Sequence, residues 1–254
     1  MAGTDHPLRP RPALAWQVAV VRDRVEETAI TISLILDVAD WAGHLAGQHV
    51  DVRLTASDGY QAQRSYSIAS APEHDGLALT IERLGDGEVS SYLVDVLRTG
   101  DGLELRGPIG GYFTWHVDRG GPLFLVGGGS GVVPLMAMLR HRQAAASRLS
   151  ATLLMSSRGY DDIIYRDELA QLQRDDDQLR VVHTLTRRQP PGWDGYARRI
   201  DPQMLGEVAY PPGDKPHVFV CGPTLLVEDV ATALVELGHA PDRIRTERFG
   251  PTGG

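Results

Sequence analysis

The pattern of hydrophobic and polar positions divides the chain into two halves of different character. In the first half, short runs of β-branched or alternating apolar residues are separated by Gly, Asp and Pro at short intervals. These runs predict strands at residues 16–21, 28–36, 48–54, 62–68, 77–84 and 103–106. So many short strands predict a small antiparallel β-barrel. One helix interrupts it at residues 89–97, where apolar residues fall on one face.

In the second half, apolar strands alternate with amphipathic segments of helical period. The predicted strands are residues 122–126, 151–155, 179–185, 217–221 and 243–248. The predicted helices begin near residue 132 and cover residues 162–173, 202–208 and 224–237. This alternation predicts an α/β domain, with a parallel sheet, helices on both faces and ligands at the carboxyl ends of the strands.

A polar, turn-rich segment separates the two halves. Residues 118–122 read Asp-Arg-Gly-Gly-Pro, which is a composition typical of a linker. We therefore expect one domain at residues 15–117 and a second at residues 118–254. The proline-rich, polar start of the chain predicts a flexible tail over residues 1–14.

Composition limits the classes of function. The 254 residues contain a single cysteine, Cys221, so the chain cannot supply the four thiolates of an iron–sulfur cluster. A formal net charge of −8 argues against nonspecific binding of nucleic acid. No apolar run approaches the roughly 20 residues that span a bilayer, so we expect a cytoplasmic protein without membrane insertion. The histidines lack metal-ligand spacing, so no metal site is predicted.

One short motif near the end of a predicted strand has the chemistry of a flavin site. Arg64, Tyr66 and Ser67 offer a guanidinium fork for a pyrophosphate, a ring to lie against an isoalloxazine, and a small donor for a ring nitrogen. On a regular strand, Arg64 and Tyr66 share one face, and Ser65 and Ser67 share the other. Taken alone, the motif fits equally a strand end with a surface arginine and a half-buried tyrosine.

Two glycine-containing turns are candidates for binding anions. The turn 85–87 precedes a predicted helix with Ser90 and Ser91 in its first turn, which suits an anion or an ordinary helix cap. The run 127–131 follows a strand and opens a helix, where glycines let a pyrophosphate approach the backbone. Val132 stands where the dinucleotide fingerprint G-x-G-x-x-G needs its last glycine, which disfavours a plain NAD dehydrogenase.

Four motifs in a fixed order now resemble those of the ferredoxin–NADP reductase superfamily. They are residues 64–67, residues 87–90, the glycine run 127–131 with Pro134, and Cys-Gly-Pro at residues 221–223. The resemblance covers the chain from about residue 15 onward. It implies that the barrel binds FAD, that the α/β domain binds a nicotinamide nucleotide, and that electrons pass from NADPH through FAD to a one-electron carrier.

The resemblance also implies roles for individual residues. Arg64 would pair with the flavin pyrophosphate, Tyr66 would pack on the isoalloxazine, and Ser67 would bond near flavin N5. Cys221 would lie beside the nicotinamide. The other implied cofactor contacts are Ile81, Glu82, Arg83, Gly87, Val89, Ser90 and Ser91 for the flavin, and Gly129, Ser130, Gly131, Gly222 and Pro223 for the nucleotide.

The C-terminal segment supplies two further candidate catalytic residues besides Ser67 and Cys221. Phe249 is the one aromatic residue of this segment that could cover the second face of the flavin, or it anchors the last strand in the core. Glu247 is either a proton-relay group near the flavin or an exposed strand carboxylate.

The residues after the second strand of the α/β domain predict NADPH as the electron donor. Ser157 and Arg158 stand where the adenosine ribose should lie, with Arg166 eight residues further on, and these groups suit a 2′-phosphate. Asp161 and Asp162 argue the other way, because a carboxylate here accepts hydrogen bonds from a free 2′-hydroxyl.

The expected acceptor is a ferredoxin, a flavodoxin, or an oxygenase or other redox protein, and the chain is expected to be a monomer. Two alternatives stay open. One is a flavin-binding electron-entry or regulatory subunit of a larger complex. The other is a flavin- or oxygen-reducing NAD(P)H oxidase.

Overall fold

The computed structural model of the chain describes residues 14–249. Apart from Leu14, the predicted flexible tail lies outside the described residues. The two predicted halves form two packed units, each with its own sheet. Within the described range, no helix combines the length and the hydropathy needed to cross a membrane.

The first unit is a six-stranded antiparallel sheet with the strand order β4-β3-β6-β1-β2-β5. Its strands are β1 Gln17–Thr28, β2 Thr31–Val38, β3 His49–Thr55, β4 Gln61–Ser67, β5 Leu77–Glu82 and β6 Gly102–Ile109. Its two outer strands meet where Ile68, just past β4, bridges to Leu79 of β5. This contact closes the sheet around a core that contains Leu34 and Val50, both fully buried. The predicted barrel is therefore confirmed.

The helix of the barrel has two parts. An α-helical turn, α1, covers Glu88–Ser91, and a wider π-helical turn continues it over Tyr92–Val96. Val89 and Leu93 are buried in the barrel core, as the sequence pattern predicted. The pattern placed Tyr92 and Val96 on the same face, but both are exposed, because the π-helical turn has a longer period than the α-helix that the pattern assumed. The helix thus covers one side of the barrel core.

The second unit is a five-stranded parallel sheet with the order β11-β10-β7-β8-β9. Its strands are β7 Leu123–Gly128, β8 Ala151–Gly159, β9 Leu179–Arg188, β10 His217–Pro223 and β11 Ile244–Phe249. Its helices are α2 Val132–Ala144, α3 Arg166–Asp175, α4 Pro202–Val208 and α5 Thr224–Glu236. One core cluster joins α2 and α3 to the sheet, and a second joins α4 and α5 to it. Helices therefore cover both faces, as predicted.

Several element boundaries differ from the sequence-based expectation, for example the end of β8, which continues to Gly159, and the start of β2, which is Thr31. Strand β1 continues to Thr28 because its polar second half pairs with β2 in a long hairpin. Helix α3 begins at Arg166 rather than at residue 162. Tyr165 has a left-handed backbone with a φ of 59°, which interrupts the helix at that residue, and residues 160–162 form a separate 3-10 turn.

Helix α2 supplies two of the contacts that join the two units. Arg140 of α2 donates from Nη1 to the backbone oxygen of Ala69 in the barrel, at 2.7 Å. The next residue, His141, places Nδ1 2.7 Å from Glu73 Oε1 in the same barrel loop. His141 is buried, and its Nε2 accepts from the backbone N–H of Val117. Helix α2 therefore connects the glycine run at its start to the barrel near its end.

Candidate active site

A cavity of about 800 Å³ lies between the two sheets. The barrel contributes the end of β4, strand β5, the β1–β2 turn and the start of α1, and the parallel sheet contributes the carboxyl ends of its strands. Of the predicted site residues, the cavity is lined by Arg64, Tyr66, Ser67, Glu82, Gly87, Val89, Ser90, Gly129, Ser130, Ser157, Arg158, Pro223 and Phe249. Residues from distant parts of the chain thus meet at one opening.

Arg64 lies on β4 with its guanidinium exposed. Within residues 14–249 it makes one hydrogen bond, from Nη1 to the backbone oxygen of Gln63, at 2.7 Å. Among residues 14–249 no carboxylate forms an ion pair with it. Most of the donors of this guanidinium therefore remain available to an anion in the cavity.

Tyr66 and Ser67 complete the strand end. The pairing of β3 with β4 runs from His49 to Thr55 without a bulge, so Tyr66 shares the face of Arg64, as expected for a regular strand. Tyr66 is half-buried against the barrel core, and burial raises its pKa to about 12. It stays a neutral donor with an apolar ring face. On the opposite face, Ser65 Oγ donates to Asp51 at 2.6 Å.

The turn before α1 uses its own hydroxyl groups. Ser90 Oγ accepts from the backbone N–H of Leu84 at 3.1 Å and donates to the Gly87 oxygen at 3.1 Å. Ser91 Oγ donates to the Leu84 oxygen at 3.3 Å and lines a separate groove. These hydroxyl groups stabilise the turn and are therefore not free to bind a ligand. An anion could still bind the backbone N–H groups that lack a partner at every helix start.

Two residues that the resemblance assigned to the flavin lie away from the cavity. Ile81 is fully buried in the barrel core. Arg83 pairs with Asp95, with its Nε 2.7 Å from Oδ2. Between them, Glu82 does line the cavity, and its Oε2 approaches the backbone of Gly129 across the gap between the units.

The glycine run lets β7 and β10 approach each other closely. A Cβ atom on Gly131 would lie 2.1 Å from the backbone oxygen of Cys221. A Cβ atom on Gly128 would lie 2.7 Å from Leu226 Cδ1, and Gly129 has a φ of 56°. Gly129 and Ser130 line the cavity, whereas Gly131 and Gly222 form the packed contact behind it. The glycines are therefore required by packing as well as by any ligand.

At the end of β8, two polar groups face the cavity with few partners. Ser157 is 4% exposed, and its Oγ has no hydrogen-bond partner among the described residues. Arg158 is exposed, and it forms no ion pair with any of residues 14–249. Arg188 Nη2 lies 3.1 Å from Asp162 Oδ2, so an arginine already pairs with that cavity-lining carboxylate.

Arg166 is placed differently from Arg158. Its guanidinium lies over the ring of Tyr160, 4.8 Å from the centroid. It is also 3.3 Å from Asp167 and 3.8 Å from Asp161. Arg166 does not line the cavity, and its charge is already shared with two carboxylates.

Cys221 and Glu247 lie just behind the cavity wall, one strand apart. Cys221 is 1% exposed, and burial raises the pKa of its thiol well above the usual value. Burial also raises the pKa of Glu247 to about 7. Its Oε2 is buried and unpartnered within residues 14–249. The alternative of an exposed strand carboxylate is therefore wrong, since the carboxyl group lies largely inside the protein.

Phe249, at the end of β11, combines the two roles considered for it. It lines the cavity, and it also packs half-buried against the core cluster that contains Cys221. Its strand position faces Pro223, which lines the cavity from β10. An aromatic ring of the parallel domain thus enters the cavity that also contains the Tyr66 ring of the barrel.

Several lining residues were not predicted. Thr186 lies near the carboxyl end of β9, and the rule that ligands bind at the carboxyl ends of parallel strands would have found it. Thr28, Ile30 and Thr31 form the β1–β2 turn, which carries no motif. Leu226 belongs to the first turn of α5, next to the Cys-Gly-Pro motif.

Comparisons with known families agree with this division. The family described as "Oxidoreductase FAD-binding domain" matches residues 20–114. The family described as "Oxidoreductase NAD-binding domain" matches residues 125–232. The two matches fall on the barrel and on the parallel-sheet unit.

The chain is similar to reductases over most of its length. It is 38% identical over 209 residues to ferredoxin–NADP reductase B of Sorangium cellulosum, covering 80% of this chain and 84% of that protein. It is 30% identical over 251 residues to the reductase subunit of an aromatic O-demethylase of Amycolatopsis, covering 97% and 71%. The FAD/NAD-binding domain of a nitric oxide dioxygenase from Vibrio cholerae superposes with a TM-score of 0.82 at 26% identity, covering 92% and 99%.

Proposed function

The chain belongs to the ferredoxin–NADP reductase superfamily, and we propose that it passes electrons from NADPH through FAD to a one-electron carrier protein. The observation that carries this proposal is the single cavity shared by both units. The end of barrel strand β4 and the carboxyl ends of the parallel strands line the same space. A flavin held by the barrel and a nucleotide held by the parallel sheet would therefore meet there.

The residues on the barrel side fit FAD. Arg64 has free guanidinium donors for a pyrophosphate, and the half-buried ring of Tyr66 offers an apolar face to an isoalloxazine. Ser67 lies at the strand end beside Tyr66 and supplies a small hydroxyl. The start of α1 adds free backbone N–H groups.

The residues on the parallel-sheet side fit a nicotinamide nucleotide. Gly129 and Ser130 expose backbone at the end of β7, where a phosphate can approach. The buried Oγ of Ser157 has no hydrogen-bond partner among residues 14–249, which supports a polar ligand at the end of β8, because buried hydroxyl groups are nearly always hydrogen-bonded. Pro223 and Phe249 form the apolar part of the wall.

When bound, FAD takes two electrons from the nicotinamide as a hydride and passes them on one at a time. The contribution of the chain is orientation and exclusion of water. Tyr66 and Phe249 place aromatic rings from the two units in one cavity. The carboxyl group of Glu247, buried and with a pKa raised to about 7, is able to hold or release a proton at neutral pH.

Arg158 supports the choice of NADPH over NADH. Its exposed guanidinium faces the cavity from the strand end next to Ser157. Asp162, one of the two residues that favoured NADH, pairs with Arg188, and this pairing reduces its repulsion of a 2′-phosphate. A guanidinium–phosphate hydrogen bond contributes about 1.5–3 kcal/mol, enough for a tenfold preference or more.

The acceptor is a small redox protein such as a ferredoxin or flavodoxin, or an oxygenase component. The second candidate is an electron-entry subunit of an oxygenase complex. The similarity to the Amycolatopsis reductase subunit favours it. A monomeric state and a cytoplasmic location stay predictions from the sequence.

The test is to purify the protein, record its absorbance spectrum and identify the extracted flavin. Reduction of cytochrome c by NADPH is then measured with and without added ferredoxin. We expect FAD and a rate that rises with ferredoxin. A colourless protein that cannot be reconstituted, or an extract containing FMN, contradicts the assignment. Rapid oxygen consumption that ferredoxin does not affect would identify an oxidase instead.

A further inference from the structure

A buried tyrosine of the parallel-sheet unit reaches into the barrel. Tyr165 is 2% exposed, and its hydroxyl donates to Oγ1 of Thr80 on β5, at 2.5 Å. Its backbone is left-handed, with a φ of 59°, which is uncommon for a large aromatic residue. Tyr165 is the residue that precedes α3, and its ring packs in the core cluster of its own unit while its hydroxyl reaches the barrel.

The hydroxyl of Tyr165 starts a directed chain of hydrogen bonds. Ser33 Oγ donates its proton to Glu27 Oε1 at 2.6 Å. Thr80 Oγ1 is 2.8 Å from Ser33 Oγ and must therefore be the donor between them. Thr80 and Ser33 thus each donate one hydrogen bond and accept one, and Tyr165 donates the first. The order from the parallel-sheet unit into the barrel is Tyr165, Thr80, Ser33 and Glu27.

Arg140 holds the same tyrosine from the other side. Its guanidinium lies 4.8 Å from the centre of the Tyr165 ring. It also donates to both carboxylate oxygens of Glu168, at 2.8 and 2.6 Å, and to the Ala69 oxygen of the barrel. The ring is therefore fixed between a cation of its own unit and hydroxyl groups of the other.

This contact lies at the wall of the cavity. The cavity is lined by Thr80, which accepts the hydrogen bond from Tyr165. It is also lined by Ile164, the residue before Tyr165. A rotation of one unit against the other at this point changes the distance between the two walls. Since those walls bear the two proposed cofactor sites, the relative position of the cofactors depends on this contact.

We propose that Tyr165 is a positioning residue that fixes the orientation of the two units and thereby the distance between flavin and nicotinamide. The kinetic part of this inference rests on the proposed function. The structural part, that the Tyr165 hydroxyl couples the two units, does not. The two parts are therefore tested separately.

The structural test compares Tyr165→Phe with the matched variant Tyr210→Phe. Tyr210 accepts a hydrogen bond from Thr152 at 3.2 Å inside the parallel-sheet unit, so its loss removes a similar bond that joins no units. Hydrogen–deuterium exchange is followed in the FAD-loaded protein. We expect Tyr165→Phe to speed exchange severalfold in residues 77–82 of the barrel as well as in 160–168. Faster exchange confined to the parallel-sheet unit overturns the coupling.

The kinetic test follows flavin reduction by NADPH in a stopped-flow instrument. We expect Tyr165→Phe to lower the limiting rate roughly tenfold while the dissociation constant of NADPH changes less than about twofold, because near-attack geometry is lost rather than affinity. Tyr210→Phe keeps both values. An unchanged limiting rate in Tyr165→Phe contradicts the positioning role. If the wild type is not reduced by any nicotinamide nucleotide, the proposed function fails, and the exchange data alone decide the coupling.

Discussion

Cys221 and Glu247 occupy facing positions on the neighbouring parallel strands β10 and β11. Both side chains lie largely away from water, and burial raises the pKa of each. Near neutral pH the pair therefore consists of a neutral thiol and a carboxyl group that is about half protonated. In this pair the Glu247 carboxyl group can bind or release a proton near neutral pH, while the Cys221 thiol stays neutral.

The raised pKa of Glu247 predicts a pH-dependent stability. The carboxyl group ionises near 4.5 in the unfolded chain and near 7 in the folded protein. Its protonated form therefore favours the fold below about pH 4.5, and this contribution is lost as the pH rises through 7. We expect Glu247→Gln to gain up to about 3 kcal/mol relative to wild type between pH 5 and pH 8. Urea unfolding of both proteins at these pH values measures it, and an equal difference at both would show that Glu247 titrates normally.

Arg64 is expected to determine the retention of FAD. Arg64→Ala removes the free guanidinium at the end of β4, and the loss of one or more charged hydrogen bonds should weaken FAD binding about 10- to 100-fold. Arg22→Ala is the control, because Arg22 pairs with Asp37 and Asp75 on the barrel surface. Titration of the apoprotein with FAD gives both affinities. Equal affinities in the two variants would mean that Arg64 does not bind the cofactor.

Arg158 is expected to set the choice of nucleotide. Arg158→Ala should lower kcat/KM for NADPH by about tenfold or more and leave the value for NADH nearly unchanged. Arg166→Ala should have a much smaller effect, because Asp161 and Asp167 already share its charge. Steady-state kinetics with both nucleotides decide the matter. The proposal fails if the wild type prefers NADH, or if Arg158→Ala keeps the preference for NADPH.

Gly131 is expected to tolerate no side chain. In Gly131→Ala the new Cβ would lie 2.1 Å from the Cys221 backbone oxygen, so β10 must move, and we expect a loss of about 1–3 kcal/mol of folding free energy. Gly206→Ala is the opposite case. A Cβ there meets nothing, and alanine in helix α4 should add about 0.5–1 kcal/mol. Thermal unfolding compares the two, and equal midpoints would contradict the packing argument.

The sequence predicted the fold because the local signals agreed with the tertiary structure. Strands such as β3 and β7 combine apolar runs with clear turn residues on both sides. The order of the four motifs then placed most of the cavity wall. The start of α3 was predicted wrongly, since helical spacing extends through residues 162–165, whereas the left-handed backbone of Tyr165 starts the helix at Arg166.

The sequence could not reveal which polar groups pair. The ion pair of Asp162 with Arg188 spans 26 residues, and it determines how much negative charge faces the cavity. Ser90 was a candidate anion ligand, yet its hydroxyl holds the turn to Leu84. Which polar groups pair depends on the distances between strands in the folded protein, and a local sequence pattern does not contain those distances.

The burial of Cys221 has a practical consequence for chemical labelling. A thiol reacts with maleimides as the thiolate, and this one is both shielded from solvent and held protonated. It is also the only cysteine of the chain. Cysteines introduced at exposed positions such as Val18 on the barrel and Leu225 on α5 can therefore carry a pair of fluorophores without first removing the native thiol. Single-molecule distances between the two units are accessible in an otherwise unaltered protein.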